Sequence, residues 1–153
     1  MKKLALSALI ALALLGATFV TNNRAHAAST FSPDLGSPGI LIASQARLLN
    51  DGSNQGELDV TVTYICPTTT STPASLTVTA TETAAADGTT ATGTGSVPLI
   101  NCDGAAHNVA VDVATTTYPP FNVGAATATA TILDSTGATV VATPAAVPIR
   151  IAA

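Results

Sequence analysis

The stretch that decides the fold is residues 57–66, which read Glu-Leu-Asp-Val-Thr-Val-Thr-Tyr-Ile-Cys. Every second side chain from Leu58 to Cys66 is apolar, and the positions between the first four are Asp, Thr and Thr. In a β-strand, successive side chains point to opposite faces, so this alternation puts one apolar set on one side. The stretch therefore predicts a half-buried strand whose last inward residue is a cysteine.

The same alternation recurs on both sides of this stretch. Predicted strands lie near residues 40–49, 57–66, 76–81, 92–97, 109–113, 126–132, 140–142 and 147–151. Gly93 and Gly95 weaken the fourth of these segments and predict a bulge or an edge there.

Turn residues separate the predicted strands, and together they predict the fold class. Asp and Gly cluster at residues 51–56, 87–88, 103–104 and 134–137. About seven short strands with turns at these intervals predict an all-β, immunoglobulin-like antiparallel β-sandwich with one disulfide, over residues 39–153. The chain has no Trp, so we expect a core of small aliphatic side chains with Tyr64, Tyr118 and Phe121 as its bulky members.

The N-terminal residues have the pattern of an export signal. Met1-Lys2-Lys3 is followed by an apolar run over residues 4–20 and then by Ala25-His26-Ala27. This pattern predicts a signal peptide over residues 1–27, cleaved between Ala27 and Ala28, and an extended segment over residues 28–38. An uncleaved membrane anchor is the alternative, but the apolar run is shorter than the ~20 residues that span a bilayer. The predicted location is extracellular or on the cell surface, or periplasmic in an organism with two membranes.

Export determines how the two cysteines are interpreted. Cys66 and Cys102 are the only cysteines of the chain, and an oxidising compartment favours a disulfide between them. Closing a loop of this size stabilises a fold by ~4 kcal/mol in the loop-entropy description. A reactive thiol is the alternative, although the chain contains no Cys-x-x-Cys motif.

The charge balance excludes two classes of partner. Residues 28–153 hold two arginines, no lysine and nine carboxylates, a formal net charge of −7. Nucleic-acid binding needs basic side chains that displace counterions from phosphates, so no nucleic-acid partner is expected. A basic amphipathic helix on a membrane surface is excluded for the same reason, and nothing after Ala28 is apolar for long enough to span a membrane.

Several short patterns resemble a known group of proteins. Tyr64-Ile65-Cys66 is followed by Cys102-Asp103-Gly104-Ala105-Ala106-His107, and Phe121-x-x-Gly leads into alternating alanines at 126–130. This order, with the ending Val147-Pro148-Ile149-Arg150-Ile151, resembles small exported proteins of actinobacteria over residues 57–151. The resemblance implies an immunoglobulin-like sandwich with a single disulfide, and it implies no particular activity.

Candidate catalytic and metal-binding residues are few. His107 is the only histidine after residue 27, and a Ser-His-Asp hydrolase would need it together with Asp103 or Asp112. No Gly-x-Ser-x-Gly motif accompanies it, and we expect His107 to bond to the Asp103 turn. With both cysteines paired, a zinc site lacks ligands.

Two repetitive patterns suggest further sites. Alternate oxygen-bearing residues from Asp51 to Asp59 are similar to a calcium loop, but the twelfth position is Val62 instead of glutamate, so a hairpin turn is predicted. Threonines alternate at residues 61–63, 77–81 and 127–131, as on the regular hydroxyl faces of some ice-binding proteins. Sheet twist and the preference of threonine for solvent-facing strand positions favour an ordinary outer surface.

The sequence therefore predicts an exported, non-enzymatic interaction module without catalytic, cofactor or metal sites. Its partner would be an extracellular protein or a small ligand, and edge strands would allow self-association. One alternative is a small-ligand carrier of the chromophore-binding type, with a cleft formed by Tyr118, Phe121 and His107. The other is a weak hydrolase that uses His107.

Overall fold

The computed structural model describes residues 37–49, 56–82 and 88–153. The predicted signal peptide over residues 1–27, its cleavage site between Ala27 and Ala28, and most of the 28–38 segment lie outside these ranges. So do residues 50–55, which include most of the calcium-like turn, and residues 83–87.

The described chain forms eight β-strands, all at or near the positions that the alternation predicts. They are β1 (Gly39–Leu49), β2 (Glu57–Ile65), β3 (Ala74–Glu82), β4 (Thr92–Ile100), β5 (Ala106–Thr115), β6 (Gly124–Leu133), β7 (Thr139–Ala142) and β8 (Val147–Ala152).

Seven of these strands close into a barrel. Hydrogen bonds join them in the order β3-β4-β5-β2-β1-β8-β6, and β6 pairs back to β3, while β7 extends the edge of β6. All neighbours are antiparallel except β1 and β8, which run parallel. The prediction of an immunoglobulin-like sandwich is therefore wrong, because two separate sheets would not be hydrogen-bonded to each other at both sides.

Two short strand pairs, which we call the seams, join what would otherwise be separate sheets. In the β4–β5 seam, Gly93 pairs with Thr115, and the next residue pairs with Ala114. A Cβ atom on Gly93 would lie 2.5 Å from the Ala114 carbonyl oxygen, and one on Gly95 would collide with the carbonyl oxygen of Asp112. The two glycines thus let β4 approach β5 closely, and Gly93 lies in a seam where a bulge or an edge was predicted. The irregularity in the β3–β4 register lies further along β4, between Val97 and Ile100.

The second seam joins β1 to β8. Residues 45–47 of β1 pair with residues 150–152 of β8. Since β1 and β5 both end near these pairs and β4 begins there, the two seams lie toward the same end of the barrel.

The barrel interior is filled by side chains from every strand except β7. Its largest fully buried members are Phe121, Leu58, Leu76, Ile132 and Ile151. Tyr64 is buried, as its parity predicts, but Tyr118 is 93% exposed and is not a core residue. Glu82 is the one buried charged side chain of the described ranges, with 2% of its surface exposed.

The predicted disulfide between Cys66 and Cys102 is confirmed. It ties the end of β2 to the connection between β4 and β5, at the barrel end opposite the seams. Two hydrogen bonds support it: the Gly104 amide donates to the Cys66 carbonyl at 3.0 Å, and the Asn101 amide donates to the Tyr64 hydroxyl at 3.2 Å.

Two features bear on the cellular location. A disulfide is compatible with an extracellular environment. Among the described residues, no helix has the length and apolar character needed to cross a bilayer.

Candidate functional site

The connection between β5 and β6, residues 116–123, forms a loop at the seam end of the barrel; we call it the Tyr118 loop. Hydrogen bonds to Thr92 at the start of β4 fix its base. The Thr116 amide and hydroxyl donate to the Thr92 carbonyl at 2.8 and 2.9 Å, and the Thr92 amide donates to the Thr117 hydroxyl at 2.8 Å. The first two residues of the loop therefore continue the β4–β5 seam.

The far side of the Tyr118 loop is anchored in the barrel interior. Phe121 is 2% exposed, and its ring occupies the space that a side chain at Gly93 would need. The amide of Asn122 donates to a carboxylate oxygen of the buried Glu82 at 3.1 Å. The Asn122 side chain donates to the Pro120 carbonyl, also at 3.1 Å. Three sets of contacts therefore hold the loop: the hydrogen bonds to Thr92 at its base, the buried ring of Phe121 and the buried carboxylate of Glu82.

The loop presents two apolar side chains to solvent, Tyr118 between these anchors and Val123 directly after them. Tyr118 is 93% exposed and Val123 is 56% exposed. Pro119 and Pro120 follow Tyr118 and fix the backbone φ angles there. Exposed aromatic side chains of this kind are enriched among the residues that dominate binding energies.

The structure does not bring together the three residues of the predicted cleft. Phe121 lies inside the barrel and Tyr118 is exposed to solvent, while His107 is the second residue of β5, at the disulfide end. Sequence reasoning also missed the anchoring role of Glu82. The sequence does indicate that Glu82 is buried, because it continues the inward parity of Leu76, Val78 and Ala80.

His107 forms the predicted bond to the Asp103 turn. Its Nε2 lies 2.8 Å from Asp103 Oδ1, which also accepts the Ala105 amide at 2.9 Å. The imidazole stacks on Tyr64 with ring centroids 5.5 Å apart. The hydrogen bond from His107, assisted by the Ala105 amide, holds the pKa of the Asp103 carboxyl below its ordinary value. In the described chain no serine hydroxyl hydrogen-bonds to His107, and its hydrogen bond to Asp103 fixes the turn.

The calcium-like segment from Asp51 to Asp59, for which a hairpin turn is predicted, is described only in part. Its first residues lie outside the described ranges, and Asp59 lies on β2 with its side chain on the outer wall of the barrel. No group of three His, Cys, Asp or Glu side chains within the described residues is placed to hold a metal ion.

The threonine rows lie in register on one outer wall. Across the strand order β4-β3-β6, hydroxyl-bearing residues meet in three rows: Ser96, Thr77 and Thr131; Thr94, Thr79 and Thr129; Thr92, Thr81 and Thr127. None of these hydroxyls hydrogen-bonds to a described residue, and no ionisable side chain interrupts the rows. Thr61 and Thr63 lie elsewhere, on β2, where Thr63 bonds to Asn108 at 2.6 Å.

Comparison with known proteins assigns no relative. No protein-family model matches the chain, and no curated protein is significantly similar to it.

Proposed function

We propose that this chain is an exported, non-enzymatic β-barrel module that binds an extracellular or cell-surface partner through the Tyr118 loop. The observation that carries the proposal is an almost fully exposed tyrosine on a loop fixed at both ends. The resemblance to small exported actinobacterial proteins, based on residues 57–151, agrees with a role outside the cytoplasm.

The anchoring of the loop is what makes it suited to binding. Ordering a mobile loop at an interface opposes association, and a loop that is already ordered avoids that cost. Tyrosine adds a large contact area with few rotatable bonds, and its hydroxyl remains available for a hydrogen bond.

The two alternatives receive less support. A carrier of a small ligand needs a cleft, but the barrel interior is occupied by side chains and the three proposed cleft residues lie apart. A hydrolase needs a nucleophile beside His107, but His107 hydrogen-bonds to Asp103 and stacks on the ring of Tyr64. Native mass spectrometry of the secreted protein tests the carrier directly, because a bound ligand would add a defined mass that is lost on denaturation.

The first prediction compares two exposed apolar side chains at opposite ends of the barrel. Labelled protein is titrated onto an envelope fraction of the source cells, using the wild type, Tyr118→Ala and Leu99→Ala. We expect Tyr118→Ala to weaken binding by about tenfold or more, as for an interface hot spot of about 2 kcal/mol. Leu99 is 74% exposed on the other end of the barrel, so Leu99→Ala should leave binding unchanged. Equal effects of the two substitutions, or none from Tyr118→Ala, would reject the loop as the binding site.

A further inference from the structure

A shallow depression of about 270 Å³ lies on the outer wall of the barrel, at the β1–β8 seam. Its polar lining comes from Gln45 and Arg47 on β1 and from Asp59 and Thr61 on β2, and three alanines complete the lining: Ala46, Ala152 and Ala153. The depression lies where β1 departs from regular pairing: Ile42 pairs with Val62, but Ala46 pairs with Val60. Irregularities of this kind re-aim side chains and are frequent beside functional sites.

Charges of opposite sign lie on the two sides of this depression. Arg47 pairs across the strands with Asp59, and Asp59 pairs in turn with Asp112. On the other side, Gln45 pairs with Arg150. Arg47 and Arg150 are the only Lys or Arg residues of the described ranges, both are exposed, and neither forms an ion pair with another described residue. The wall is therefore negative toward β2 and β5 and positive toward β1 and β8.

Asp59 also lacks a hydrogen-bond donor. Its Oδ1 atom is buried, and no described residue donates to it. A buried acceptor without a donor destabilises the folded state, and almost all such atoms in native proteins are satisfied. The nearest cationic side chain in the register, Arg47, does not supply the missing bond.

We propose that this depression binds a small zwitterion of the α-amino acid type. The ammonium group of the ligand donates to the Asp59 carboxylate. The carboxylate group of the ligand accepts hydrogen bonds from the Arg47 guanidinium, with Gln45 also in the lining. A single molecule with both charges matches both sides of the wall, whereas a simple anion or cation matches only one.

A second copy of this chain is the competing occupant, since a two-fold pairing would set arginines of one copy against aspartates of the other. The concave shape favours a small ligand, and the two cases differ in their dependence on protein concentration. No residue that lines the depression belongs to the Tyr118 loop, so Tyr118→Ala should not affect it.

The test is a titration followed by amide chemical shifts, using the secreted protein at low salt with glycine, acetate and methylammonium as probes. We expect glycine to produce saturable shifts confined to the residues around positions 45–47, 59–61 and 150–152. Acetate and methylammonium should each bind about tenfold or more weakly, because each lacks one charged hydrogen bond. Equal responses to all three probes, or no saturation with glycine, would overturn the proposal.

Variants separate the two halves of the site. Asp59→Asn and Arg47→Gln should each lower glycine affinity by about tenfold or more. Glu57→Gln removes a carboxylate two residues from Asp59 on the same strand, outside the lining of the depression, and should change affinity less than twofold. Asp59→Asn also removes the charge from a carboxylate whose Oδ1 atom is buried without a donor, so this variant should be at least as stable to urea as the wild type. Glycine binding that survives both site substitutions, or shifts that follow protein concentration instead of glycine, would reject the site in favour of adventitious or copy-to-copy contacts.

Discussion

Asp103 links the stability of the disulfide end to pH. Its pKa is lowered in the folded chain, first by the hydrogen bond to His107 and then by the Ala105 amide. A carboxyl with a lower pKa in the folded state stabilises the fold at pH values above its unfolded pKa, and this contribution disappears as the pH falls through the folded value. Asp134 follows the same rule through its bonds to Thr136.

The second prediction concerns this pH dependence. We expect urea stability of the wild type to fall as the pH drops below about 4, and Asp103→Asn to flatten that fall because its side chain does not titrate there. Denaturation midpoints measured at several pH values, with Glu57→Gln as the control, will check this. A control that flattens the curve as much as Asp103→Asn would contradict the assigned role.

Individual positions differ in how far the sequence reveals them. Tyr64 and His107 were placed correctly because one belongs to a strand with a clear parity and the other lies a fixed distance from an Asp-Gly turn. Tyr118 was misplaced as a core residue, since it lies in an irregular segment where no period assigns a face. The Asp59 Oδ1 atom without a donor and the depression beside it both depend on which strands are neighbours. No local sequence pattern could therefore predict them.

Strands β4 and β5 depend on glycine for their contact. In the third prediction, Gly93→Ala places a methyl group 2.5 Å from the Ala114 carbonyl oxygen and 2.7 Å from the Phe121 ring. Overpacking of this kind destabilises a fold by about 1–3 kcal/mol. Because Phe121 anchors the Tyr118 loop, partner binding should weaken together with stability.

Thr94→Ala is the matched control for Gly93→Ala. Thr94 is the next residue on β4, it faces solvent, and its hydroxyl has no partner among the described residues, so its removal should cost less than about 1 kcal/mol. Urea unfolding of both variants measures the difference. Similar losses from the two substitutions would show that the seam is not sensitive to close packing at Gly93.

Alternation predicted where strands lie but not which strands are neighbours. A period of two states which residues share a face, and it contains no information about the pairing order around a sheet. The glycines of β4 illustrate the limit, because the same residues are expected at a bulge, at an edge or at a close backbone approach. The alternation therefore could not predict that β4 pairs with β5, which is one of the pairings that close the barrel.

At the scale of the whole molecule, the disulfide supplements a core made largely of Val, Ile, Leu and Ala. As the fourth prediction, replacing both Cys66 and Cys102 by Ser should reduce the free energy of unfolding by about 2–4 kcal/mol. Urea titrations of the double variant and of the oxidised wild type measure this loss. A double variant as stable as the wild type would mean that the barrel needs no covalent constraint.

The parallel pairing of β1 with β8 has a mechanical consequence. A force that pulls residue 39 away from residue 152 would load the bonds of that seam in shear, all at once, instead of opening them one by one. After the seam breaks, the disulfide between Cys66 and Cys102 still prevents the segment between them, a sequence separation of 36, from extending. About 120 Å of contour length is therefore released only under reducing conditions. Tethered between a cell and a surface, such a domain would extend in two stages. Whether its surroundings are oxidising or reducing would determine its maximum extension.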